Sequence, residues 1–270
     1  MKDGIPFYKI AASGNDFIVI DNRKRVITKP KSFARKVCAF HTGIGADGLL
    51  LLENSRFGQF KMRIINSDGS EAEACGNGFR CIALFAREIM DLSKSFRFES
   101  LAGMVYAKVD GSRVRVQLPQ PKGLELDRKL DIGGETLGYC FINTGVPHAV
   151  IFTKKLKRLD LNCLAPKIRY HRRFAPKGTN VNFVEVQSHH EIHVRTYERG
   201  VEAETMACGT GSTASAIVSS LKGFTRPPVR VITHGGEVLI IDFKNHDFEA
   251  SEVTLEGEVN IVFEGKLLDF

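Results

Sequence analysis

Two cysteines in this chain stand where a sulfur can exchange protons. Cys75 lies in Glu71-Ala72-Glu73-Ala74-Cys75-Gly76-Asn77-Gly78, and Cys208 in Glu202-Ala203-Glu204-Thr205-Met206-Ala207-Cys208-Gly209-Thr210-Gly211. Each segment reads acidic residues, then Ala-Cys-Gly-x-Gly, then apolar residues three and four apart. Phe79, Ile82, Ala83, Ala86 and Met90 follow the first cysteine; Ala214, Ile217, Val218 and Leu221 follow the second. That spacing is one face of a helix, so each cysteine should immediately precede a helix N-terminus. The first amides of a helix lack intrahelical partners and carry the positive end of its dipole. They favour a thiolate, so both cysteine pKa values should fall, and the same amides can hold a carboxylate. One such cysteine suits a nucleophile. Two in equivalent places suit an acid/base pair, in which one thiolate takes a proton from a carbon while the other thiol delivers one to the opposite face. The outcome is inversion of a stereocentre, with helix amides stabilising the charge that spreads onto a carboxylate, more strongly in a dry site.

The elements that must position these cysteines occur twice. Residues 7–10 and 17–20 predict strands about the Ser13-Gly14-Asn15-Asp16 turn, 33–40 a helix with Phe33, Val37 and Phe40 on one side, 49–52 a buried strand and 60–65 another. After the first Cys-Gly helix, 96–99, 105–109 and 114–118 predict further strands. Pro119-Gln120-Pro121-Lys122-Gly123 reads as a linker, and the order then restarts: strands about Gly145, a helix near 156–168, the Gly178 loop and a strand, 192–197, the second Cys-Gly helix, 229–233 and 238–243. Gly14 to Gly145 is 131 residues, Gly45 to Gly178 is 133, Cys75 to Cys208 is 133 and Gly103 to Gly235 is 132. Four such pairs in one order predict an internal duplication with halves 1–120 and 121–270. Many strands and two helices per half predict α+β rather than a Rossmann alternation: two pseudo-symmetric domains, each a mostly antiparallel curved sheet around a central helix. Small residues at Ala214, Ser215, Ala216 and Ser219 fit a helix held closely inside a sheet. Packing of the halves about a pseudo-two-fold axis would bring the two cysteines face to face at a cleft.

Composition excludes several classes. The chain has 270 residues, with 38 Lys and Arg against 31 Asp and Glu, a net charge of +7. Basic runs at Lys154-Lys155-Leu156-Lys157-Arg158 and from Lys167 to Arg173 come with no nucleic-acid reader motif, so they read as solvated faces, without a nucleic-acid partner. No apolar run approaches the ~20 residues of a membrane span, and Met1-Lys2-Asp3-Gly4-Ile5-Pro6 has no apolar signal core, which points to the cytoplasm. Six cysteines in a chain of this length read as reduced thiols, with Cys38, Cys81, Cys140 and Cys163 in the core. His189-His190-Glu191-Ile192-His193 lacks a closed ligand set, and strand alternation sends His190 and His193 to opposite faces, so no metal is expected. A pyridoxal lysine motif, a Rossmann fingerprint and a Walker loop are all missing, and no cofactor is expected.

Several stretches together resemble the diaminopimelate epimerase family: Gly14-Asn15-Asp16-Phe17, Asn66-Ser67-Asp68-Gly69-Ser70-Glu71, Ala74-Cys75-Gly76-Asn77-Gly78, Pro147-His148, Gly178-Thr179-Asn180, Tyr197-Glu198-Arg199-Gly200 and Ala207-Cys208-Gly209-Thr210-Gly211. They run in order over nearly the whole chain. The resemblance implies cofactor-independent interconversion of L,L- and meso-diaminopimelate, with Cys75 and Cys208 as the two bases. It implies that Gly76, Asn77, Gly209 and Thr210 hold the reacting α-carboxylate, and that Glu198 binds the adjacent ammonium. His148 and Glu198 tune the thiols. Asn15, Asn66, Asn180 and Arg199 line the site, the asparagines and Arg199 reading the distal end of the amino-acid substrate, a task for which the arginine fork suits a carboxylate. It further implies a homodimer whose last strand returns to the first domain.

Three positions depart from the family's commonest pattern. Val146 stands where many members carry asparagine before Pro-His, Gly48 where some carry glutamine, and Gly200-Val201-Glu202-Ala203-Glu204-Thr205 is one residue longer than the shorter form. None touches the cysteines, so the expectation is a retained reaction with looser selection of the distal group. Two other readings stay open: a cofactor-free racemase of another amino acid such as glutamate or proline, and a non-catalytic protein whose glycine-rich helix starts hold an anion or nucleic acid.

Overall fold

The computed structural model describes residues 4–246 and 249–268. Met1, Lys2 and Asp3, part of the stretch read for a leader, lie outside the described residues. The chain divides into two compact units, Met1–Gln117 with Gly257–Phe270, and Leu118–Glu256.

The first unit runs β1 (Ile5–Ala12), β2 (Asn15–Asp21), α1 (Pro30–Val37), β3 (Gly48–Glu53), β4 (Lys61–Asn66), β5 (Glu71–Ala72), α2 (Gly76–Ile89), β6 (Ser95–Ser100), β7 (Gly103–Asp110) and β8 (Arg113–Gln117). Most neighbours are antiparallel, and β2 pairs parallel with β3. The sheet curves around α2, which packs against β1, β2, β3, β7 and β8. Every α2 residue from Gly76 to Ala86 is buried, as a helix enclosed by sheet must be. The four leucines of β3 show why that strand is an unbroken apolar run. Leu49 and Leu51 pack with Ala34 and Val37 of α1 on the outer face, whereas Leu50 comes up under Gly78 at the start of α2. A strand covered on both faces has no polar side to alternate with.

The second unit repeats the order. It runs β9 (Lys122–Ile132), β10 (Glu135–Asn143), β11 (Pro147–Phe152), α3 (Leu161–Arg169), β12 (Asn180–Ser188), β13 (Glu191–Glu198), β14 (Ala203–Thr205), α4 (Gly209–Leu221), β15 (Val229–Ile232), β16 (Val238–His246) and β17 (Glu249–Glu258). Thus β10 to β17 with α3 and α4 correspond to β1 to β8 with α1 and α2. The parallel pair recurs as β11 with β12, and α4 lies within β10, β11, β12, β13, β15 and β16. Each repeat has one extra strand on its first strand: β9 pairs antiparallel with β10, and β18 (Asn260–Leu267) pairs antiparallel with β1. The architecture is α+β, two duplicated units with a mostly antiparallel curved sheet around a central helix. Among the described residues no helix is long and apolar enough to cross a membrane.

Four local expectations need correction. The first helix ends at Val37, and Phe40 is 70% exposed rather than on its buried face. The chain turns at Cys38, and Ile44 packs against the α1 cluster instead. The predicted helix at 156–168 is a 3-10 turn, Leu156–Arg158, followed by α3, because Asp160 caps the helix by accepting the Cys163 N–H at 3.1 Å. Cys163 is exposed, not core; α3 buries Leu161, Ala165 and Ile168, a spacing of four and three that leaves Cys163 on the outer side. Lys122 and Gly123, read as linker, already belong to β9.

The two central helices start on different floors. A Cβ placed on Gly78 would meet the flexible end of Met62 at 3.3 Å, whereas one on Gly211 would collide with Asn182 Oδ1. Asn182 is fixed: its amide nitrogen donates to His148 Nδ1 and to the Ala149 carbonyl, both at 3.1 Å, and its oxygen accepts from Thr196 at 3.0 Å. Gly211→Ala should therefore cost about 2–4 kcal/mol of unfolding free energy, and Gly78→Ala less than about 1 kcal/mol. Urea unfolding of the two variants checks this, and equal losses would contradict it.

Candidate active site

Each cysteine is the N-cap of its central helix. Cys75 has extended backbone geometry and its Sγ accepts the N–H of Gly78 at 3.4 Å. Cys208 does the same with Gly211, also at 3.4 Å. Sulfur thus takes the place that serine or aspartate oxygen usually fills, three residues before the amide it caps. The remaining first-turn residues, Gly76 and Asn77 after one cysteine and Gly209 and Thr210 after the other, are those whose amides have no carbonyl four residues back within the helix.

In the first unit a chain of hydrogen bonds runs away from the helix start. Asn77 donates to Asn15 Oδ1 at 2.8 Å, and Asn15 donates to Asp47 at 2.9 Å. Behind Asn77, the fully buried Arg80 donates to Asn77 Oδ1 at 2.8 Å and to Ser13 Oγ. The two asparagines picked from sequence are therefore neighbours, and Arg80, Ser13 and Asp47, which sequence reasoning passed over, hold them. Asn66 is exposed at the end of β4 and donates to Ser70 Oγ at 2.9 Å.

In the second unit, Cys208 is buried and Glu198 lies against it, with Thr205 donating to the same carboxylate at 2.6 Å. The expected fall in thiol pKa does not occur here. Burial pushes the Cys208 thiol well up, and the Glu198 charge adds to the rise; the Thr210 hydroxyl and the Gly211 amide pull the other way and lose. Cys208 therefore stays a thiol in this setting. His148 is completely buried, and burial, reinforced by the Arg199 charge, holds its pKa down to about 3, so the ring is neutral. Its Nδ1 accepts from Asn182, which leaves the proton on Nε2. Its contact with the Cys208 helix runs through Asn182. Asn180 accepts the Arg199 N–H at 2.8 Å and donates to the Pro147 carbonyl at 3.2 Å, tying the β11 and β13 ends together. The longer turn after Arg199 is locked by Glu202, whose carboxylate accepts from Arg169 at 2.8 Å and from the Gly200 N–H at 2.9 Å. The signal for Asn182 was present in the sequence: a polar residue flanked by Val181, Phe183 and Val184, the apolar part of its strand.

A family model described as diaminopimelate epimerase matches residues 7–122 and 140–262. A diaminopimelate epimerase of Aquifex aeolicus (strain VF5) is 50% identical over 97% of both chains, and one of Hydrogenobaculum sp. (strain Y04AAS1) is 44% identical over 96% of this chain and 97% of its own. The chain belongs to the diaminopimelate epimerase family. Among solved structures, a PhzF-family phenazine biosynthesis protein of Bacillus anthracis aligns over 100% of both chains with TM-score 0.75 at 15% identity. A probable proline racemase from Agrobacterium radiobacter K84, with bound carbonate, covers 98% of this chain and 93% of its own with TM-score 0.72 at 15% identity. These two likenesses concern the fold. Two departures from the diaminopimelate epimerase pattern have a local setting. Gly48 is buried, and a Cβ there would approach the Ile65 carbonyl to 3.0 Å, so a larger residue needs the strand to give. Val146, half-buried, occupies the position that Asn15 holds in the first unit: Phe17 pairs with Gly48 as His148 pairs with Asn180, and each of the two residues lies two before its pair.

The neutral His148 gives a signed prediction. An unfolded histidine protonates below about pH 6.5 while the folded one resists to about 3, so stability falls as pH drops through that window. Between pH 7.5 and 5 this group should remove about 2 kcal/mol. His148→Gln, although less stable at pH 7.5, should lose about 2 kcal/mol less than the native protein over the same interval. Parallel losses in urea unfolding at the two pH values would sink the assignment.

Proposed function

We propose that this chain is a cofactor-independent two-cysteine epimerase that inverts the α-carbon of diaminopimelate, L,L to meso, for lysine and peptidoglycan biosynthesis. The observation that carries the reading is the repeated sulfur cap: in a member of the diaminopimelate epimerase family, both repeats present a cysteine on the same helix-start amide. In this reading one cysteine takes the α-proton as thiolate and the other gives a proton as thiol, and the roles exchange for the other isomer. Glu198, set against Cys208, takes the substrate ammonium, and the Gly76, Asn77, Gly209 and Thr210 amides take the α-carboxylate as charge builds on it. Asn15, Asn66, Asn180 and Arg199 read the distal end. The same reading makes the enzyme a cytoplasmic homodimer acting on a free amino acid, with no nucleic acid or membrane as partner.

Under reducing conditions in D2O, the protein should exchange the α-proton of L,L- and meso-diaminopimelate. Cys75→Ser and Cys208→Ser should each lower that exchange by at least about 10²-fold, the scale of one lost acid or base. Exchange that survives both substitutions, or a native protein that shows none, defeats the reading.

Val146 lacks the side-chain amide of its equivalent, Asn15, so selection of the distal group should be looser. Val146→Asn should raise the ratio of kcat/KM for diaminopimelate over glutamate about tenfold, one buried hydrogen bond's worth. A ratio unchanged by Val146→Asn, with glutamate at background in both proteins, shows that Val146 does not relax selection.

A further inference from the structure

One acidic residue before each Ala-Cys-Gly, Glu71 in the first unit and Glu204 in the second, has no part in the proton transfer described above, yet the two repeats use it alike. In the first unit Arg63 of β4 grips Glu71 of β5 with both arms of its fork, Nε to Oε1 at 2.7 Å and an NH2 to Oε2 at 3.0 Å. In the second, Arg195 of β13 grips Glu204 of β14 in the same way, at 2.6 and 2.7 Å. The register is also the same. Glu71 faces Ile65, two residues beyond Arg63, and Glu204 faces Tyr197, two residues beyond Arg195. Each is a diagonal cross-strand pair on one face of a hairpin. The glutamates stand four residues before Cys75 and four before Cys208.

These hairpins need the pair. The return strands are two and three residues long, so few backbone bonds hold them. The arginines also fasten each hairpin to its own unit. Arg195 donates to the Leu156 and Leu159 carbonyls at 2.9 Å, and Arg63 lies 3.6 Å from Glu53. The side chains are only 14–24% exposed, so water competes weakly for them. The other strand of each hairpin ends in a residue the proposed reaction uses, Asn66 at the end of β4 and Glu198 at the end of β13.

We infer that Arg63–Glu71 and Arg195–Glu204 are positioning residues: each clamp sets the sulfur of its own cysteine on the helix amide and fixes its spacing to the substrate residue at the far end of the same hairpin. The catalytic part of this inference rests on the two-thiol reading; the effect on the thiols does not. Releasing a clamp lets the cysteine drift off the amide that stabilises its thiolate, without removing any group that touches substrate. A shift of a fraction of an ångström in an acid/base group is enough to slow the chemical step while leaving binding nearly intact.

The test uses Glu71→Gln and Glu204→Gln, which keep the side-chain shape and lose the charge. Iodoacetamide alkylation of Cys75 and Cys208 is followed separately by peptide mass spectrometry across pH, alongside kcat and KM for diaminopimelate. Glu71→Gln should move the alkylation profile of Cys75 up by about half a pH unit, the scale of a helix-end interaction, and leave that of Cys208 in place. Glu204→Gln should leave the Cys75 profile in place. Because burial already holds the Cys208 thiol well up, this variant should show itself as Cys208 alkylation about threefold slower at a fixed pH of about 9, the same half unit read below the midpoint. In each variant kcat should fall about 10- to 100-fold with KM within about threefold. A profile shift shared equally by both cysteines, or no shift in either beside a lower Tm, overturns the clamp. If the native protein does not turn over diaminopimelate, the functional reading fails by itself, and the alkylation profiles still decide the inference.

Discussion

The structure depends on a sulfur atom capping a helix that has no exposed side. α2 and α4 are both wrapped by their sheets, so the one end of each at which first-turn amides face outward is also where the chain enters. The cysteine accepts the third amide of the helix and leaves the first two for another acceptor. A serine or aspartate there would cap better. A cysteine caps weakly, because sulfur is a poorer acceptor than oxygen. Of the glycines that follow, Gly211 is required by proximity, since it passes directly over Asn182.

Around this shared device the repeats diverge, and the divergence is electrostatic. Behind the first cap stands a buried arginine, Arg80; the equivalent residue behind the second is Thr213, whose hydroxyl donates to the Gly209 carbonyl. Under the first helix lies Leu50, and under the second Asn182 with His148 and Thr196. The first cap is half-buried, whereas the second is buried against Glu198. Position alone therefore does not set the state of a helix-end thiol. At Cys208 the desolvation of a charged sulfur and a nearby carboxylate outweigh the amide and the hydroxyl that favour it.

Much of this was legible in the sequence because the signals were local. The Ala-Cys-Gly-x-Gly segments followed by three-and-four spacing fix two helix starts, and the repeated glycines fix the order of elements. What sequence could not show is what meets across the fold. Asn15 and Asn77 are 62 residues apart in the chain and hydrogen-bonded; Asn182 joins His148, 34 residues earlier, to the helix that begins after Cys208. The fall expected in the Cys208 pKa was a local inference, defeated by burial that only the folded unit supplies. Phe40 and Cys163 failed for a simpler reason: periodicity was extended past a helix end in one case, and a cysteine was counted as apolar in the other.

The duplication also constrains how such a chain can vary. Whatever both repeats keep is needed twice: the sulfur cap, the diagonal arginine–glutamate pair, and the extra strand laid on the first strand of each sheet, β18 on β1 and β9 on β10. Whatever they do not share is free to differ in what it contacts. Asn15 against Val146, Asn77 against Thr210, and Asn66 against Glu198 are of this second kind, and all lie at strand ends, in a turn or in the first turn of a helix rather than in the middle of a strand. The diagonal pairs connect the two sets, because each ties the strand ending in a variable residue to the strand leading to a fixed cysteine. The residue at one strand end can differ between the repeats without shifting the sulfur at the other only if some contact holds those two ends at constant separation, and in each unit the arginine fork makes that contact.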